Sequence, residues 1–67
     1  MDLSIVIPAY NEERRLTPTL EGWSAWLNTF DGAAEVIVAD DGSTDGTAGL
    51  VERFAARHDR FVLHRLP

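Results

Sequence analysis

Sixty-seven residues are about half of a common domain, and a chain of this size buries only about 60% of its unfolded surface. The composition, 45% hydrophobic and 25% charged with no cysteine, is that of a globular protein and excludes a disulfide framework or a thiolate metal site. A net charge of −5, with arginine as the basic residue throughout, leaves no basic cluster to meet a nucleic-acid backbone.

The N-terminus, Met1-Asp2-Leu3-Ser4, has no basic segment ahead of an apolar core and is not a secretory signal. No stretch approaches the roughly 18 to 20 apolar residues that cross a bilayer. A cytoplasmic protein is expected, with peripheral contact to the cytoplasmic membrane face left open. The chain stops at Leu66-Pro67 directly after an apolar run. This reads as an N-terminal portion of a larger domain.

Residues 3–7 form a short, largely β-branched apolar run that stops at Pro8, which cannot donate to a strand ladder. A run without alternation reads as a strand covered on both faces. Thr17-Pro18 then predicts a helix N-cap followed by a proline in the first turn. Leu20, Trp23, Trp26, Leu27 and Phe30 recur at helical spacing, an apolar stripe ending near Asp31-Gly32. That spacing assigns the aromatic residues to the core rather than to a membrane or partner surface.

Residues 35–39 give a second strand, and the polar loop 40–46 follows it. A second helix is predicted over 47–58, with Ala48, Val51, Phe54 and Ala55 inward and Glu52, Arg53 and Arg57 towards water. Phe61-Val62-Leu63 supply a third strand within residues 60–66. Strand, helix, strand, helix, strand makes two crossover units, each expected to be right-handed. The fold class is therefore α/β, a parallel βαβαβ half of a doubly wound, Rossmann-like sheet.

In such sheets ligands bind outside the carboxyl ends of the strands. Two polar loops converge there, Pro8 to Glu12 after the first strand and Asp40 to Ser43 after the second. Asp40 and Asp41 are adjacent, and successive strand side chains point to opposite faces. They should not share one metal ion. One is expected to tie down the neighbouring loop through backbone N–H groups, and the other to face the crevice. A carboxylate there can accept a strong hydrogen bond from a base imino group or a ribose hydroxyl. Tyr10 can lay an aromatic face against a base, and Glu12 can reach a ribose or order its loop.

Two other templates compete and fail. Asp41, Ser43, Asp45, Gly46, Thr47 and Glu52 have the ligand spacing of a helix–loop–helix calcium site. The β-branched run before the loop argues for an entering strand rather than a helix. A glycine-rich dinucleotide fingerprint and a Walker lysine are both absent, since the chain has no lysine. His58 and His64 lack a nearby ligand pattern and read as a helix-end and a strand histidine rather than metal ligands.

The pair of segments Ser4-Ile5-Val6-Ile7-Pro8-Ala9-Tyr10-Asn11-Glu12-Glu13 and Val36-Ile37-Val38-Ala39-Asp40-Asp41-Gly42-Ser43-Thr44-Asp45-Gly46-Thr47 resembles the start of a family 2 glycosyltransferase of the GT-A fold. Glu12 to Leu20 most resembles the dolichyl-phosphate β-glucosyltransferase and polyprenyl-phosphate sugar transferase branch. The resemblance implies an inverting enzyme that moves a sugar from a nucleotide-sugar, with UDP-sugar preferred, to an acceptor such as a polyprenyl phosphate. It carries Pro8, Ala9, Tyr10, Glu12, Ala39 and Asp41 over as nucleotide-binding residues, with Asp41 on the base. Asp40 and Ser43 become residues that structure the loop. The family's Asp-x-Asp metal motif, its Mg²⁺ or Mn²⁺ ligands and its catalytic base have no counterpart here. Residues 1–67 would be the N-terminal nucleotide-binding part of a single, incomplete glycosyltransferase domain, without a catalytic residue and inactive alone. A small non-catalytic α/β binding module is the competing expectation. The residues that follow Pro67 would separate the two.

Overall fold

The computed structural model describes residues 2–66. Its elements are β1 (Asp2–Ala9), α1 (Leu16–Leu27), β2 (Ala33–Asp40), α2 (Thr47–Arg57) and β3 (Phe61–Arg65). The expected order of strands and helices is therefore observed. The three strands form one parallel sheet in the order β1-β2-β3, with Ile5 opposite Val36 and Val36 opposite Phe61.

This order decides how the sheet is covered. Two successive right-handed crossovers that step in the same direction place both helices on the same face. Leu16, Leu20 and Leu27 of α1 and Val51 and Phe54 of α2 accordingly join one buried cluster with Ala9, Val36, Val38 and Phe61. Ile5, Ile7 and Leu63 pack against it. Side chains one position out of phase lie on the opposite face. There Val6 is 60% and Val62 48% exposed, and their shared register partner is Ile37. Among the described residues one face is buried and the other open, so these elements supply one of the two covers that the non-alternating strands call for.

Helix α1 also departs from its sequence signals. The Glu12 carbonyl accepts the N–H groups of both Arg15 (3.0 Å) and Leu16 (2.9 Å). That turn starts the helix at Leu16, with Arg15 at the N-cap and no side-chain cap. Thr17 is therefore not the cap. Pro18 still lies in the first turn, where its missing N–H is harmless. The helix ends at Leu27, short of Asp31-Gly32. The N–H of Thr29 bonds the Trp26 carbonyl at 2.9 Å and that of Phe30 the Leu27 carbonyl at 3.2 Å, tightening the chain into a turn.

The aromatic stripe is consequently only partly core. Trp23 is half-buried, whereas Trp26 is 40% exposed, edge-on to Trp23 at 5.8 Å and stacked on Phe30 at 5.1 Å between centroids. Helix α2 follows its predicted stripe closely. Ala48, Val51 and Phe54 are buried, Ala55 is half-buried, and Glu52, Arg53 and Arg57 are exposed.

Candidate functional site

The loops after β1 and β2 meet at the carboxyl end of the sheet, and they are bonded to each other rather than merely adjacent. The Asp41 N–H reaches the Ala9 carbonyl at 2.9 Å, carrying the ladder one residue past the strands. Beyond it, side chains of the second loop satisfy successive backbone donors of the first. Asn11 N–H donates to Ser43 Oγ at 2.9 Å, and Glu12 N–H to Thr47 Oγ1 at 2.9 Å. Glu13 N–H approaches Asp45 Oδ2 at 3.4 Å. In the reverse direction, Thr44 N–H donates to Asn11 Oδ1 at 3.0 Å and Gly46 N–H to Glu13 Oε1 at 3.1 Å. Without these partners the backbone donors of two irregular loops would depend on water alone.

Asp40 anchors this lattice from below. Its side chain is fully buried, and Oδ1 accepts both the Ser43 hydroxyl and the Ser43 N–H, the latter at 3.2 Å. Ser43 can therefore donate to Asp40 while accepting from Asn11, a relay from the buried carboxylate to the first loop. Oδ2 of Asp40 has no hydrogen-bond partner among the described residues, but Arg65 Nε stands 3.6 Å away and supplies opposite charge. Asp40 and Arg65 are register partners on β2 and β3, which explains their meeting. The expected division of labour between the two aspartates is modified. Asp40 fastens its own loop, and Ser43, Asp45 and Thr47 fasten the neighbouring one.

Two backbone positions show why particular residues stand here. Asn11 has φ of 50° and Gly42 φ of 75°. Asparagine and glycine are the residues that tolerate this left-handed region best. The Asp45 carboxyl is held below its ordinary value of 3.8, chiefly because the Thr47 hydroxyl donates to it. Backbone N–H groups of Thr47 and Glu13 add to that effect, and slight burial opposes it.

The residues singled out from the sequence separate into two groups. Pro8 and Ala39 are register partners on the open face, and Tyr10 and Asp41, both exposed, continue that face past the strand ends. These four side chains share one surface. Ala9 differs, being 3% exposed within the buried cluster, so its side chain has no access to the crevice. Glu12 lies farther along the loop, where its carboxylate pairs with Arg15 at 3.2 Å. Asn11, Glu13, Thr44, Asp45 and Thr47 were not singled out as loop-bonding residues. Their polar character was visible in the sequence, but their partners lie more than thirty residues away, between 32 and 35 positions for the bonds from Asn11, Glu12 and Glu13.

The described residues form no dense cluster of metal-ligand side chains. Among them no group of three or more His, Asp or Glu side chains could hold a metal ion. Asp40 is committed to Ser43 and Arg65 beneath the surface that Asp41 faces. The calcium-loop alternative fails as well, because the element entering the loop is strand β2. No helix among the described residues is long and apolar enough to cross a membrane.

Sheet order, one-sided helices and bonded strand-end loops define a Rossmann-like α/β half-domain. The chain belongs to glycosyl transferase family 2, whose family model matches residues 4–67. It is 38% identical over 96% of its length to a dolichyl-phosphate beta-glucosyltransferase of Trichomonas vaginalis, covering 20% of that protein. A dolichyl-phosphate beta-glucosyltransferase of Drosophila melanogaster is 38% identical over 87% of the chain, with 19% of the fly protein covered. An undecaprenyl-phosphate 4-deoxy-4-formamido-L-arabinose transferase of Shewanella sediminis is 39% identical over 91% of the chain and 18% of its own length. The chain thus spans about a fifth of the length of these relatives. No solved structure gives a significant match.

Proposed function

We propose that residues 1–67 form the nucleotide-binding part of an inverting glycosyltransferase domain that takes a sugar from a nucleotide-sugar, UDP-sugar by preference, to a polyprenyl-phosphate acceptor. The observation that carries the reading is the shared open surface of Pro8, Tyr10, Ala39 and Asp41 at the carboxyl ends of β1 and β2. Ala39 provides a low, apolar floor for a planar base, and Pro8 flanks it on the neighbouring strand. Tyr10 offers an aromatic face beside it. Asp41 is exposed at the end of that floor, where its carboxylate can accept the imino N–H of a uracil or guanine.

The acceptor assignment draws on the relatives, whose names specify dolichyl or undecaprenyl phosphate. In the proposed reaction an acceptor phosphate oxygen attacks the anomeric carbon from the side opposite the nucleoside diphosphate. The bond to the diphosphate breaks in the same displacement, which inverts the anomeric configuration. The residues described here bind and orient the leaving nucleotide, and Mg²⁺ or Mn²⁺ is assigned to ligands outside them. The protein would work at the cytoplasmic face of a membrane.

The test is nucleotide affinity by calorimetry, with UDP and GDP, for the intact protein and Asp41→Asn. The variant replaces a charged acceptor by an amide, and hydrogen bonds to charged groups contribute about 1.5–3 kcal/mol, so affinity should fall roughly tenfold to a hundredfold. Unchanged affinity would remove Asp41 from the site and the reading with it.

A further inference from the structure

The strand register extends the crevice one strand beyond the residues that the sequence indicated. Pro8 pairs with Ala39, and Ala39 pairs with His64 on β3. Alternation along β3 places Phe61 and Leu63 towards the helices and Val62 and His64 on the open face. His64 thus completes the row Pro8–Ala39–His64, immediately below the exposed Tyr10 and Asp41.

The two histidines differ sharply in their surroundings. His58 is used by the fold, since it stacks on Phe54 at 4.1 Å and its Nδ1 lies 3.4 Å from Ser24 Oγ. His64 is exposed, and its ring has no hydrogen-bond or ionic partner among the described residues. Nor does it belong to a group of side chains that could hold a metal. The fold itself makes no evident use of an imidazole at this position.

The dimensions of the row suit a planar ligand. Neighbouring strands lie about 4.8 Å apart, so His64 and Pro8 flank Ala39 with about 10 Å between their backbones. Carbon atoms in contact are about 3.5–4.0 Å apart, so one ring held between two side chains needs about 7–8 Å between them. Ala39 contributes only a methyl group and leaves that space clear. A larger residue there would fill it.

We infer that His64 is a further nucleotide-binding residue, the wall of a base slot whose floor is Ala39, whose opposite wall is Pro8 with Tyr10, and whose end is closed by Asp41. This rests on the nucleotide-binding reading of the same surface and adds a third strand to it. The imidazole packs against the base through its ring face, while the diphosphate lies beyond its reach.

The test compares the intact protein with His64→Ala and His64→Phe, using UDP or GDP, whichever it binds, and inorganic pyrophosphate as the probe without a base. Base–aromatic stacking is typically worth enough that His64→Ala should weaken nucleotide binding about tenfold. His64→Phe should restore it to within about twofold, and pyrophosphate affinity should not change in either variant. Because His64 is exposed, both variants should keep the circular dichroism spectrum of the parent. Nucleotide affinity that is equal in parent and His64→Ala overturns the inference while leaving the nucleotide-binding reading intact. Equal weakening for nucleotide and pyrophosphate also overturns it, since the contact would then be with phosphate. Failure of the parent to bind either nucleotide overturns both.

Discussion

The Ser43→Ala variant tests the loop lattice at its most connected point. The Ser43 hydroxyl donates to the buried Asp40 carboxylate and accepts the Asn11 N–H at 2.9 Å. Removing it leaves Asp40 with the Ser43 N–H at 3.2 Å and the Arg65 guanidinium at 3.6 Å. A hydrogen bond to a charged group contributes about 1.5–3 kcal/mol, and an orphaned backbone donor costs about 1–3 kcal/mol. Water can reach the exposed Asn11 and recover part of the second loss. The net destabilisation should therefore be about 3 kcal/mol. At roughly 0.05–0.15 kcal/mol per residue a chain of this size has only about 3–10 kcal/mol of total stability. The melting temperature should accordingly fall by about 12–24 °C. Urea denaturation followed by tryptophan fluorescence measures the change, with the midpoint shifted and the slope unaltered. Hydrogen exchange should accelerate at the Asn11 amide in particular. A loss below about 0.5 kcal/mol, or an unchanged Asn11 exchange rate, would refute the relay.

Other substitutions and conditions probe separate parts of the same structure. Gly42→Ala should destabilise by about 1 kcal/mol, because φ of 75° is strained for a residue with a Cβ, and Gly42→Asn should cost less in the same urea titration. In Gly46→Ala the new Cβ would collide with the Glu13 carboxylate, so Glu13 must swing away and release the Gly46 N–H. That variant should lose about 1 kcal/mol and show faster exchange at the Gly46 position. Leu20→Ala empties a fully buried site and should cost about 2–5 kcal/mol by thermal or urea unfolding. The folded Asp45 carboxyl lies below its ordinary value of 3.8, so its contribution is complete above that value and is lost as pH falls through the folded one. Protection of the Glu13 and Thr47 amides, relative to their intrinsic exchange rates, should therefore fall on acidification below about pH 4, and Asp45→Asn should abolish that dependence.

How much of this was legible in the sequence follows the range of each interaction. Strand β1 was visible because Ile5, Val6 and Ile7 run into Pro8, and β2 because Val36 to Ala39 run into Asp40-Asp41. The inward stripe of α2 was visible because Ala48, Val51 and Phe54 repeat within one helix. These signals lie within a few residues of one another. The start of α1 was not, since Thr17-Pro18 is a good local cap signal that the Glu12 carbonyl overrides from upstream. The loop lattice was legible only in Asp40 and Ser43, and its other partners were not, for a stronger reason. An acidic, hydroxyl-rich loop advertises acceptors, but nothing local to it says which backbone donors will meet them.

The open face poses the same problem on a larger scale: within residues 2–66 the consecutive apolar residues have a cover on one side only. Val6, Ile37 and Val62 form one register row that the two helices do not touch. A non-alternating strand normally signals burial on both sides. Here the strand order β1-β2-β3 sends both crossovers to one side, and no residue within a strand encodes that choice. The site benefits from this arrangement. Pro8, Tyr10, Ala39 and Asp41 stay accessible because they alternate onto the uncovered face, while Ala9 and Asp40, one position away, are drawn into the core and the loop anchor. Adjacent residues in each motif therefore divide cleanly between holding the loops and presenting a surface. In the paired aspartates this division explains why two carboxylates can stand side by side. Asp40 has its charge met from beneath by Arg65 and Ser43, and Asp41 is exposed.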